Sequence, residues 1–228
     1  MKGQIKTGIL SVVPVKICGL TTRAHVEAAA QAGAAYVGFV FFSKSPRNLS
    51  IQAARSLAES TPARVLRVGL TVDAKDSFLD ELIAKVPLDM LQLHGVETLE
   101  RVVEIKRRFN LPVMKALGIA KASDLEKIDL YAAVCDQILV DAKPPSSGVS
   151  PGGNGLSFDW KLITGHRWTV PWMLAGGLTP ETVPTALKLT AAPQLDVSSG
   201  VETSPGEKDL ALITEFIAAA QRPVWANC

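Results

Sequence analysis

Short apolar, β-branched runs alternate with longer amphipathic stretches eight times along the chain, and no other feature restricts the fold as tightly. The strand-like runs are 15–20, 36–42, 64–72, 90–94, 112–117, 137–141, 172–175 and 195–198. The helical patterns that follow them are 22–32, 51–60, 75–86, 96–109, 122–131, 158–164, 180–189 and 207–220. The longest irregular stretch, 142–156, follows the sixth strand. Most of the strand-like runs are continuously apolar, as parallel strands covered on both faces must be. Repeated βα units build either a doubly wound open sheet or a closed barrel. A dinucleotide-binding open sheet calls for G-x-G-x-x-G after its first strand. Here that strand runs into Cys18-Gly19-Leu20-Thr21. Eight units, in 228 residues, favour a single-domain (β/α)8 TIM barrel. The expected organisation is a poorly ordered extension over 1–13, the barrel over 14–222 and a tail over 223–228.

Composition removes several function classes. A formal net charge of +2 and the absence of any run of like charges give no electrostatic case for nucleic acid or an anionic membrane. No stretch approaches the roughly 20 apolar residues of a membrane span. The first residues hold a lysine and a short apolar run, but Ser11 and Pro14 break it and no small-residue cleavage site follows, so a secretory signal is not expected. Cys18, Cys135 and Cys228 are widely spaced and form no C-x-x-C pair. They read as free thiols of a cytoplasmic protein rather than zinc or disulfide ligands. The oligomeric expectation is left between monomer and homodimer.

Active sites of this barrel lie where strands end and loops begin. The residues at those ends are unusually polar. Cys18 closes the first strand, Arg47 stands in the Ser45-Pro46-Arg47 loop after the second, and Gln92 and His94 end the fourth. Lys115 lies in the fifth, Asp141 closes the sixth, Gly176-Gly177 follow the seventh, and Asp196-Val197-Ser198-Ser199-Gly200 close the eighth. Barrels commonly hold phosphate in the loops after strands seven and eight, where glycine lets backbone N–H groups approach an anion. Gly176, Gly177, Ser198, Ser199 and Gly200 occupy those loops, and Gly153 and Gly155 supply a third glycine-rich turn after strand six. Cys18, in a strand-end position and within reach of a cation such as Lys16 or Arg47, reads as a nucleophile or a base. Asp141 reads as an acid partner, which needs burial to hold a proton near neutrality. Arg47 reads as a two-pronged clamp for a substrate carboxylate, or a solvated loop residue. His94 reads as a rim residue or an orienter. His25 and His166 look inert.

These motifs, in this order, resemble the phosphoribosylanthranilate isomerase family. They are Lys16-Ile17-Cys18-Gly19-Leu20-Thr21, the Phe-Phe-Ser-Lys-Ser-Pro-Arg run at 41–47, Gln92-Leu93-His94-Gly95, Phe158-Asp159-Trp160 behind a glycine-rich loop, Leu174-Ala175-Gly176-Gly177-Leu178, and the run from Asp196 to Glu202. The resemblance covers about residues 15–220 and departs at Gly69-Leu70-Thr71-Val72-Asp73, which is not the family's usual third-strand ending. It implies an Amadori rearrangement of N-(5′-phosphoribosyl)anthranilate to 1-(2-carboxyphenylamino)-1-deoxyribulose 5-phosphate in tryptophan biosynthesis. It further implies Cys18 as general base, Asp141 as general acid, Arg47 on the anthranilate carboxylate and the glycine turns on the phosphate, with no metal or organic cofactor. Lys16, Gln92, His94 and Asp196 are expected to support them. The alternatives are a related phosphate-binding lyase barrel, expected to use lysine and glutamate, and a non-catalytic phosphate-binding barrel.

Overall fold

A computed structural model describes residues 12–143, 152, 153, 155 and 157–222. Eight parallel strands close on themselves: β1 (Val15–Cys18), β2 (Tyr36–Phe41), β3 (Leu66–Thr71), β4 (Met90–Leu93), β5 (Val113–Ile119), β6 (Gln137–Ala142), β7 (Trp172–Leu174) and β8 (Leu195–Val197). Each pairs with the next, and β8 returns to β1 with Lys16 opposite Asp196. The helices are α1 (Arg23–Ala32), α2 (Ile51–Ser60), α3 (Asp76–Lys85), α4 (Leu99–Phe109), α5 (Glu126–Ala132), α6 (Val183–Thr190) and α7 (Leu210–Ala220).

Local chemistry fixes the helix ends. The hydroxyls of Thr22, Ser50 and Thr98 accept from the backbone N–H three residues on, opening α1, α2 and α4. Gly33 stops α1 in the left-handed region at φ 98°, a conformation that costs glycine nothing. Asp209 caps α7 through the N–H groups of Ala211 and Leu212.

Strand parity divides the buried residues. One face of the strands joins the helices in the main core, with Ile17, Phe39, Leu91, Ile138 and Phe216 fully buried. The other face fills the barrel. Val68, Met90, Met114, Leu139 and Met173 pack together there, and Cys18, Val40 and Leu70 form a smaller cluster that Phe42 and Val72 join. The same parity sends Lys16 and Asp196 inward, where an aliphatic layer is the usual filling. Parity sends Lys115, between Met114 and Ala116, outward instead.

Three expected helices differ. The pattern over 122–131 divides into a 3-10 turn, Ala122–Asp124, and α5. The Asp124 carboxylate accepts from the N–H groups of Ala120 and Lys121 and so draws the backbone into a turn. The short helix expected at 158–164 is a 3-10 turn, Trp160–Ile163. The helix expected from Glu207 starts at Leu210, because Glu207–Lys208 (β10) pairs antiparallel with Glu202–Ser204 (β9). Gly206, at φ 91°, makes the turn between them. The expected tail and all but Val12 and Val13 of the expected extension lie outside the described residues, as does the Pro-Pro-Ser-Ser segment at 144–147. No helix among the described residues is long and apolar enough to cross a membrane.

Candidate active site

Two adjoining concavities open at the C-terminal mouth of the barrel. One, of about 410 Å³, is lined almost wholly by turns: Gly153, Gly155, Gly176, Gly177, Ser198, Ser199 and Gly200 all border it. Its backbone can approach a ligand closely because side chains are excluded. A Cβ on Gly176 would lie 2.8 Å from the Ala142 nitrogen, and one on Gly200 would run into the Leu178 carbonyl oxygen. Ser199 and Gly200 open a 3-10 turn, whose first N–H groups have no carbonyl of that turn to bond. Such a turn suits an anion.

The second concavity, of about 450 Å³, has an apolar wall of Val40, Phe42, Leu70 and Val72 facing a polar set: Cys18, Arg47, Gln92, His94 and Asp141. Asp141, Gly153, Asp196 and Ser198 border both spaces. A ligand with an anionic end and a flat apolar end fits the pair, with Asp141 at the join.

Cys18 ends β1, and a cation does lie beside it. That cation is Lys16, two residues earlier on the same inward face and fully buried. Lys16 Nζ donates to Asp196 Oδ1 at 2.8 Å. Burial alone would strip its proton, but the Asp196 carboxylate, by charge and by hydrogen bond, holds it, and its pKa is raised. Burial pushes the Cys18 thiol up, Lys16 pulls it back down, and the net is a raised pKa. The resting residue is therefore a thiol at neutral pH, with an ammonium in place to receive the thiolate. Gly38 makes the room: a Cβ there would lie 3.0 Å from Cys18 Sγ and 3.1 Å from Lys16 Nζ.

Asp141 Oδ1 accepts from the Ala142 N–H at 2.7 Å. Its Oδ2 faces His94 Nε2 at 3.6 Å, while His94 Nδ1 lies 2.9 Å from Gln92 Nε2. With the amide donating, the ring proton sits on Nε2 and points at the carboxylate. Gln92 and His94 thus form a short chain ending at Asp141.

Arg47 is not a solvated loop residue; it is 5% exposed. Its Nε and Nη2 donate to the two oxygens of Glu202 at 2.7 and 2.6 Å. Lys115, counted among the polar strand positions, does not reach the mouth as a free amine. Its three donors go to the Leu93 and Gly95 carbonyls and to Glu97 Oε2 at 2.8 Å. That arrangement leaves no lysine–glutamate pair free for lyase chemistry at this position. Glu202 stood in a recognised motif without a role, and Lys208 had no sequence signal, since a hairpin brings it back to the site.

A family model described as N-(5′-phosphoribosyl)anthranilate (PRA) isomerase matches residues 15–219. The chain belongs to the phosphoribosylanthranilate isomerase family. It is therefore an enzyme, an isomerase of tryptophan biosynthesis. N-(5′-phosphoribosyl)anthranilate isomerase of Cereibacter sphaeroides is 57% identical over 209 residues, covering 92% of this chain and 99% of that protein. The crystal structure of phosphoribosyl anthranilate isomerase from Thermotoga maritima has a TM-score of 0.81 at 38% identity, covering 91% of this chain and 98% of that one. A structure of a phosphoribosyl anthranilate isomerase in complex with reduced 1-(o-carboxyphenylamino)-1-deoxyribulose 5-phosphate has a TM-score of 0.80 at 36% identity, covering 91% and 98%. These solved relatives share the fold of this chain over about nine-tenths of its length.

Proposed function

We propose that this chain converts N-(5′-phosphoribosyl)anthranilate to 1-(2-carboxyphenylamino)-1-deoxyribulose 5-phosphate, with Asp141 as general acid and Cys18 as general base. The phosphate sits among Gly153, Gly155, Gly176, Gly177, Ser198, Ser199 and Gly200. The anthranilate ring lies against Val40, Phe42, Leu70 and Val72, and Arg47 holds its carboxylate. Asp141 gives a proton to the ribose ring oxygen, the C1–O bond breaks, and the amine nitrogen lone pair forms the C1=N bond of a Schiff base. Cys18 thiolate then takes the C2 proton. The C2–H electrons form the C1=C2 bond of an enolamine, and the C=N electrons return to nitrogen. Protonation at C1 and loss of the 2-hydroxyl proton give the ketone.

The observation that carries this reading is the position of Asp141. It borders both the glycine-lined space and the apolar one, where the ribose of a phosphate–ribose–anthranilate ligand must lie. Cys18 acts as base only in the fraction of molecules whose thiol has given its proton to solvent, a minority at neutral pH. Lys16 receives the charge as it forms. The reaction uses no metal or organic cofactor, and it is placed in the cytoplasm, where the buried free thiols Cys18 and Cys135 stay reduced. The assembly is a monomer or a homodimer, which sedimentation resolves.

The test is the loss of anthranilate fluorescence on substrate generated in place. Wild type should consume it rapidly, and Asp141→Asn and Cys18→Ser should each lose on the order of a hundredfold or more in kcat. A Cys18→Ser protein with near-normal turnover would remove the assigned base, and a wild type that binds phosphorylated ligand but leaves this substrate intact would remove the reaction.

A further inference from the structure

Arg47 reaches the apolar concavity with most of its donors already engaged. Nε and one N–H of Nη2 bind Glu202, and Nη2 also donates to the Gly153 carbonyl at 3.1 Å. Nη1 has no hydrogen-bond partner among the described residues and lies against Gly153 at the wall shared by the two spaces; a Cβ on that glycine would sit 2.5 Å from it. The aliphatic part of the side chain is pressed on Gly19, where a Cβ would run into Arg47 Cδ. The guanidinium is therefore fixed along one edge by a carboxylate and packed against Gly153, while Gly19 holds the aliphatic part of the side chain.

Glu202 is itself buried and accepts a second cation, Lys208 Nζ, at 2.6 Å on Oε1. The remaining Lys208 donors go to the Ser198 carbonyl at 2.8 Å and Ser198 Oγ at 3.2 Å. Ser198 Oγ donates in turn to the Cys18 carbonyl at 3.1 Å. Two cations thus share one anion in a buried cluster, which leaves one positive charge without a counter-ion among the described residues. Such an excess is unfavourable inside a protein unless a ligand supplies the missing charge.

We infer that Glu202 and Lys208 are positioning residues for the carboxylate subsite: Glu202 locks the Arg47 guanidinium edge-on so that Nη1 is presented, and Lys208 keeps the cluster one charge short of neutral. The inference rests on the reading of Arg47 given above. It also ties the two ends of the ligand together, because Lys208 holds the Ser198 turn of the anion space. A monocarboxylate completes the cluster. A neutral phenyl group leaves it unbalanced.

The experiment compares two stable probes by calorimetry: the reduced 1-(2-carboxyphenylamino)-1-deoxyribulose 5-phosphate and its phenyl counterpart without the carboxylate. The measured quantity is the ratio of the two affinities, which a general loss of stability does not move. Wild type should prefer the carboxylate by on the order of tenfold or more, as charge-assisted hydrogen bonds do. Arg47→Ala, Glu202→Gln and Lys208→Met should each bring the preference to about threefold or less. Glu202→Gln leaves two buried cations without an anion and can fail to fold. The double variant Glu202→Gln/Lys208→Met removes one cation, restores the original net charge and still lacks the lock, so it should also lose the preference. If Arg47→Ala keeps the full preference, the reading of Arg47 fails. If Arg47→Ala loses it while Lys208→Met and the double variant keep it, Arg47 stands and the inference is overturned.

Discussion

Replacing Lys16 by methionine keeps the length of the side chain and removes its charge from beneath Cys18. The ammonium is fully buried, and it lies with the thiol beside Gly38. At about 4–6 Å and an effective dielectric near 20, a unit charge stabilises a thiolate by about 3–4 kcal/mol. That corresponds to about two to three pKa units. In wild type the raised pKa of Cys18 already means that kcat/KM climbs with pH through the ordinary thiol range. In Lys16→Met the climb should start about two units higher, and the rate near pH 7.5 should fall about a hundredfold or more. The variant also strands Asp196, a buried carboxylate, which costs about 3–5 kcal/mol of stability. Lys16→Met/Asp196→Asn should recover much of that stability and only the part of the rate that comes from no longer repelling the thiolate with the Asp196 charge. The assay is the fluorescence rate from pH 6 to 10, with thermal melts beside it. A Lys16→Met profile within about half a unit of wild type would refute the argument that the ammonium holds the thiolate.

Two further outcomes separate structure from chemistry. Lys115→Met should unfold more easily by about 3–5 kcal/mol, because Glu97 would keep its N–H donors from Asp73 and Gly95 and lose its cation. Turnover of the molecules that remain folded, measured at low temperature, should persist; its disappearance would give Lys115 a chemical role. Asp89→Asn should lose about 1–2 kcal/mol at neutral pH, since its carboxylate takes three hydrogen bonds from Arg67 in a partly exposed setting. Those bonds hold the Asp89 pKa below the usual carboxylate range. Its contribution is present above that range and lost as pH falls through the depressed value, so wild-type and variant urea curves should converge below about pH 4. A gap that persists in acid would exclude the ion pair as its source.

The candidate site residues are legible in the sequence because barrel chemistry concentrates where strands end, and strand ends can be read from the period of apolar residues. Cys18, Asp141, Arg47 and the turns at 176–177 and 198–200 all follow from that rule plus residue type. Their partners do not. Whether a strand residue points into the barrel or out depends on parity and closure, and this alone separates Lys16, under the thiol, from Lys115, committed to Glu97. Glu202 lies 155 positions from Arg47 along the chain, and Lys208 returns to it only because Gly206 turns a hairpin that the helical pattern from Glu207 concealed.

The sequence by itself determined the repeat, the closed barrel and the kinds of group around its mouth, since these depend on local periodicity and on short motifs. Tertiary structure alone decided which charges share the interior. A buried cation takes its character from the nearest anion, and for Lys16 that neighbour, Asp196, comes from the far end of the chain, where strand eight meets strand one.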